Sequence, residues 1–208
     1  MPALATSAAP TLMVWLPGAF HTAEDFLAAD FAQAARKRRR ALDLTFVDME
    51  WQHVGDRSPL QKLRTDIVLP ARSAGASGWL GGISLGGLFA LDYAASYPDE
   101  LDGLCLLAPY LGNRMLTAEI AQAPGLAAWD AGELAQYDEE RRIWRYINSR
   151  NAASRPVYLG FGATDRFSAA HKLLAESLPA DAVDVIEGAH DWSTWSRLWE
   201  NFLDSRHL

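Results

Sequence analysis

The chain has 208 residues, half of them hydrophobic and 22% charged, with a formal net charge of −7; that size and balance fit one α/β domain and exclude a disordered or repeat-built chain. The acidic excess argues against nucleic acid or an anionic membrane as partner, because affinity for polyanions needs surplus Lys and Arg. The single cysteine, Cys105, rules out an intrachain disulfide, and no stretch nears the ~20 apolar residues of a membrane span.

The N-terminus lacks the charged-then-apolar pattern of a cleaved leader, so a soluble, cytoplasmic protein is expected, with disorder confined to about the first ten residues. The first apolar run, Leu12–Leu16, reads as a buried strand, and it empties into the turn Pro17-Gly18-Ala19-Phe20-His21. A helix is predicted over Ala23–Arg39, ending in the basic run Arg36 to Arg40, where cations complement a solvated helix C-terminus. A second strand, Leu44–Val47, and a helix over Leu60–Ala74 follow.

The third run, Trp79–Ile83, leads into Gly82-Ile83-Ser84-Leu85-Gly86, which spells G-x-S-x-G at a strand-to-helix turn. A serine held there at φ > 0 leaves no room for side chains two positions before or after it, so both positions call for glycine. The helix Leu85–Tyr97 should bury one mostly apolar face of Leu85, Leu88, Phe89, Asp92, Ala95 and Ser96 until Pro98 stops it. A glycine-rich turn packing a helix on a sheet would use the same glycines without any chemistry, but no G-x-G-x-x-G or P-loop pattern can be read here.

The next strand, Leu104–Ala108, places Cys105 among leucines as an inert core thiol. Residues 110–155 break the rhythm with aromatics at Trp129, Tyr137, Trp144 and Tyr146 and no clear strand, which suggests a small helical cap inserted into a single domain spanning 1–208. Strands over Val157–Phe161 and Val183–Ile186 and helices over Ala169–Ser177 and Trp192–Leu203 close the chain. Strands alternating with helices argue for a mainly parallel sheet covered on both faces, with every strand C-terminus on one edge.

Three chemistry-bearing residues fall just past strand ends, in the order Ser84, Asp165, His190. A serine hydroxyl needs a base to accept its proton during attack, and a neutral imidazole, with a reference pKa of about 6.5, can take it and return it to the leaving group. A carboxylate at Asp165, in the turn Gly162-Ala163-Thr164-Asp165, can hold the imidazole's tautomer, although an Asp there can also cap the next helix. Asp191 and Asp138 are weaker choices. Oxyanion donors are expected from the Leu85 N–H and, in the first turn, the Ala19 N–H or else that of Phe20, with Gly18 letting that backbone approach. Phe20 and Trp192 are the candidate substrate-binding side chains, and core packing is the competing account of the tryptophans. His21, His53, His171 and His207 show no metal-ligand spacing, so no metal or organic cofactor is expected.

In these residues the chain resembles the α/β-hydrolase superfamily from Leu12 to Leu203, and Gly188-Ala189-His190-Asp191-Trp192-Ser193-Thr194-Trp195 is locally similar to the G-x-H-x-W-x-x-W ending of the esterase group that includes S-formylglutathione hydrolases. The resemblance implies a reduced α/β-hydrolase fold, a six-stranded sheet in order 2-1-3-4-5-6 lacking the family's first antiparallel strands. Its first turn begins Leu16-Pro17-Gly18 where many relatives carry His-Gly, leaving the second donor open. The expected activity is cleavage of a small-molecule carboxylic ester or thioester through an acyl-serine. Acyl transfer on the same residues, or a non-catalytic binding protein on this scaffold, are the alternatives. Oligomeric state is not read from the sequence.

Overall fold

Five parallel pairings join six strands in the order β2-β1-β3-β4-β5-β6. The computed structural model describes residues 11–49, 58–135, 138–151 and 153–208, so the expectations for the first ten residues, His53 and Tyr137 lie outside the described residues. The strands are β1 (Thr11–Leu16), β2 (Leu42–Phe46), β3 (Ser77–Ile83), β4 (Gly103–Leu107), β5 (Val157–Gly162) and β6 (Val183–Ile186). The expected sheet order and parallel direction are what the structure has.

The register brings Leu16 beside Gly82, Ile83 beside Leu107 and Gly162 beside Ile186. The turns carrying Gly18, Ser84, Pro109, Asp165 and His190 therefore all leave one edge of the sheet. Every residue of β3, β4 and β5 after Ser77 is buried, as the continuous apolar runs of a two-sided parallel sheet require.

The helices are α1 (Ala23–Ala28), α2 (Phe31–Lys37), α3 (Ser58–Leu63), α4 (Leu69–Ser73), α5 (Leu85–Ser96), α6 (Arg114–Gln122), α7 (Glu139–Ser149), α8 (Ser168–Ala175) and α9 (Trp192–Asp204). Two departures from expectation have simple causes. The single helix expected over 23–39 is broken at Asp30, which sits left-handed at φ 59°. Phe26 and Phe31 both pack on Trp15, with ring centroids 5.7 and 5.1 Å away. Residues five apart on one unbroken helix point about 140° apart and could not do so. The helix expected over 60–74 is widened by a π-helical stretch, Arg64–Val68, just before Pro70, whose missing N–H removes one α-helical hydrogen bond.

A third correction concerns α5. One buried face was expected, but Gly86 through Ala94 are all buried. The helix lies between β1, β3 and β4 on one side and α7 on the other. Asp92 is thereby enclosed at 1% exposure and paired with Arg142 of α7 at 2.6 Å.

The basic run is also more than a solvated helix end. Arg38 pairs with Asp204 at 2.7 Å and Glu200 at 3.2 Å, while Arg40 donates to the Leu203 and Ser205 carbonyls. Arg38 and Arg40 thus fasten the C-terminus of α9, and Arg36, Lys37 and Arg39 stay exposed. Cys105 is fully buried, and desolvation pushes its thiol well above the usual range, in keeping with an inert core residue.

Candidate active site

Ser84 sits at φ 51° and ψ −116° between β3 and α5. Its N–H donates to the Leu107 carbonyl at 3.2 Å, and its carbonyl accepts from the N–H groups of Gly87 (2.9 Å) and Tyr110 (2.8 Å). A Cβ at position 82 would collide with the Gly86 carbonyl, and one at 86 with the Leu16 carbonyl, so the turn closes only with glycine at both places. The serine's own N–H and carbonyl are thus both held by backbone partners.

Past β5, the Asp165 turn is tied to the loop after β6: the N–H groups of Ala163 and Thr164 donate to the Ile186 and Gly188 carbonyls at 2.8 and 3.0 Å. The two loops hold Asp165 and His190 in contact. His190 Nδ1–H donates to Asp165 Oδ2 at 2.7 Å, and the Ser84 hydroxyl donates to His190 Nε2 at 2.9 Å. The structure therefore brings together the three residues that the sequence spreads over 106 positions.

Asp165 also accepts the Phe167 N–H at 2.8 Å, so the carboxylate serves as the turn's cap and as the imidazole's partner together. Burial opposes its charge, but the hydrogen bonds from His190 and the Phe167 amide outweigh burial and hold the carboxyl below its usual range. Phe167 and Trp195 flank the His190 ring edge-on at 5.1 and 5.0 Å. Asp191 points elsewhere, accepting the Thr194 N–H at the start of α9, and Asp138 likewise caps α7.

The first turn does approach the serine, since a Cβ on Gly18 would lie 3.4 Å from Ser84 Cβ. Neither the Ala19 nor the Leu85 N–H donates to a backbone acceptor among the described residues. Leu85, first in α5, has no intrahelical acceptor available. His21 lies over Gly18 with its ring 5.2 Å from Trp192 and 5.8 Å from Trp195. Its position two residues past Ala19 was the available signal. Trp192 joins the site through His21, and its ring also packs on Phe26 at 5.4 Å. Phe20, at φ 64° and 98% exposed, stands in solvent rather than in a pocket wall.

Within the segment expected to form a cap, α7 reaches this rim through Glu140, a residue that no sequence pattern marked. The Glu140 carboxylate accepts from the Tyr110 hydroxyl at 3.0 Å and from the Asn113 N–H at 2.9 Å. Burial and that carboxylate push the Tyr110 phenol up to about 12. Buried His171, behind the Asp165 turn, was also missed as a site residue. On an apolar helix a lone histidine reads as core, and no motif marks it.

Two cavities, of about 530 and 550 Å³, lie away from these side chains, one between Val47 and Ile67 and one between Arg150 and His207. Among the described residues no cluster of three His, Cys, Asp or Glu could hold a metal ion, and no helix is long and apolar enough to cross a membrane.

A family model described as "Putative esterase" matches residues 70–201, a stretch that contains Ser84, Asp165 and His190. Among solved structures, the chain is similar to FphF, a fluorophosphonate-binding serine hydrolase of Staphylococcus aureus, at TM-score 0.66 and 12% identity over 96% of this chain and 85% of that one. A monoacylglycerol lipase of Paleococcus ferrophilus aligns at TM-score 0.61 and 17% identity over 97% of both chains. An S-formylglutathione hydrolase from Agrobacterium tumefaciens aligns at 0.59 and 17% over 94% and 83%. At such identities these structures show the fold alone. No curated protein matches the sequence.

Proposed function

The chain belongs to this esterase family, and from that premise we propose that it is an α/β-hydrolase that cleaves a small-molecule carboxylic ester or thioester through an acyl-enzyme on Ser84. The observation that carries the reading is the unbroken line from Ser84 Oγ through His190 to the buried Asp165 carboxylate.

His190 takes the Ser84 proton as Oγ attacks the carbonyl carbon, and the C–O or C–S bond then breaks as the imidazolium returns that proton to the leaving group. Water, deprotonated by His190, attacks the acyl-serine and releases the acid and the free hydroxyl. Asp165 keeps the Nδ1–H tautomer and stabilises the imidazolium. The Leu85 and Ala19 N–H groups, both without a backbone acceptor among the described residues, hold the oxyanion, helped by the positive end of α5. This chemistry asks for no metal or organic cofactor.

Trp192 is assigned to the substrate as a wall beside His21, and Phe20, which stands in solvent, is not. The segment 110–155 is assigned as the cap that shapes the entrance, through the contact of Glu140 with Tyr110.

Initial rates on 4-nitrophenyl esters of increasing chain length, with acyl-thioesters and lactones alongside, test the reading. Ser84→Ala and His190→Ala should each lose roughly 10⁴- to 10⁶-fold in turnover with folding intact. A loss under tenfold in either would remove that residue from the mechanism.

A further inference from the structure

Behind the acid turn lies a histidine that the proposed chemistry does not use. His171, on α8, is fully buried, and its Nε2–H donates to the Pro109 carbonyl at 2.9 Å. A carbonyl only accepts, so the proton of the neutral ring must be on Nε2, leaving Nδ1 bare and without a partner among the described residues. Burial drives the imidazole's pKa down to about 4, so the ring is neutral at physiological pH. An aliphatic side chain would fill the same space without the cost of an unsatisfied buried nitrogen. What the imidazole adds is the hydrogen bond.

That bond joins the two halves of the site. On one side, α8 begins just past Asp165, whose carboxylate holds the Phe167 N–H, and the Phe167 carbonyl in turn accepts the His171 N–H at 3.1 Å. On the other side, Pro109 is followed by Tyr110, whose N–H holds the Ser84 carbonyl at 2.8 Å. Pro109 is preceded by Ala108, bent into the left-handed region at φ 46°. A non-glycine residue stays there only when its neighbours over-determine it.

We propose that His171 is a positioning residue that sets the separation between the Ser84 elbow and the Asp165–His190 pair by tying α8 to the Pro109 carbonyl. The proposal rests on the acyl-serine reading above. Because the ring is neutral, it does not compete with His190 for the Asp165 carboxylate. Displacements of about 1 Å at a reacting centre can cost a hundredfold in rate, so a single link between the halves can matter without touching substrate.

The test compares His171→Leu, His171→Gln and His171→Asn with wild type and Ser84→Ala. The Gln amide extends to the place of Nε2 and can reach the Pro109 carbonyl, whereas the shorter Asn amide cannot. We expect His171→Leu and His171→Asn to lose about ten- to hundredfold in kcat with KM within twofold. Fluorophosphonate labelling of Ser84 should slow in parallel, and the proton resonance of the His190 Nδ1–H should shift. His171→Gln should recover to within about threefold of wild type. Wild-type kcat in His171→Leu overturns the proposal, as do equal activities of the Gln and Asn variants, a comparison that stands even if the Leu variant fails to fold. A Ser84→Ala variant that keeps its activity would sink the acyl-serine reading instead.

Discussion

The Ser84 elbow and the helical segment between β4 and β5 share one rim, yet they are held by different forces. The elbow is fixed by backbone: a serine at φ 51°, with its N–H and carbonyl bonded to Leu107, Gly87 and Tyr110 inside a buried sheet. The segment is fixed by side chains: Arg142 on Asp92 at 2.6 Å, Arg141 on Glu119 at 2.9 Å, the Trp144 indole N–H on the Leu111 carbonyl at 2.6 Å, and Glu140 on Tyr110. Backbone contacts constrain a reacting atom whatever the neighbouring side chains are, and side-chain contacts can be replaced one at a time. The difference explains how one reaction frame can be fitted with different entrances.

The comparison breaks most visibly at the acid. Asp165→Asn keeps the shape of the turn but lets the imidazole settle in the wrong tautomer, so turnover should fall about 10³- to 10⁴-fold while KM changes little. Steady-state kinetics checks this, and a loss below tenfold would mean that the carboxylate does not govern His190.

A smaller effect is expected in the segment. Arg142→Ala strands the buried Asp92 carboxylate and should cost roughly 3–5 kcal/mol of unfolding free energy, while Asp92→Leu with Arg142→Met should recover most of it. Denaturant unfolding reads the cost, and kcat of the folded fraction should stay near wild type. A large fall in kcat for the double variant would show that the segment also sets the relay's geometry.

The smallest effect lies between the two regions, at His171. Its folded-state pKa of about 4 is below the 6.5 of an ordinary histidine, so between those values the unfolded chain binds a proton that the folded chain excludes. Stability is therefore lost as pH falls from about 6.5 to about 4, by roughly 3 kcal/mol for this group. Denaturation midpoints of wild type and His171→Gln over that window should differ in slope, with the Gln variant the flatter.

The sheet was legible because each strand is a short apolar run bounded by a turn, and because the right-handed crossover leaves one edge for every strand end. The positions of Ser84, Asp165 and His190 were legible for the same reason. The break at Asp30 was not, since it depends on Phe26 of α1 and Phe31 of α2 both packing on Trp15 of β1, a tertiary contact that helical periodicity does not encode. Arg142 with Asp92, and Glu140 with Tyr110, escaped too, because pairs 50 and 30 residues apart leave no periodic trace. His171 shows the same limit. Its role depends on a carbonyl 62 residues away.

The most direct test of the account is covalent capture at the elbow. Incubation with a fluorophosphonate followed by peptide mass spectrometry should place one adduct on Ser84, with labelling abolished in Ser84→Ala and strongly slowed in His190→Ala. A wild-type protein that stays unlabelled, or a Ser84→Ala variant that labels as fast as wild type, would contradict the claim that Ser84 is a nucleophile activated by His190.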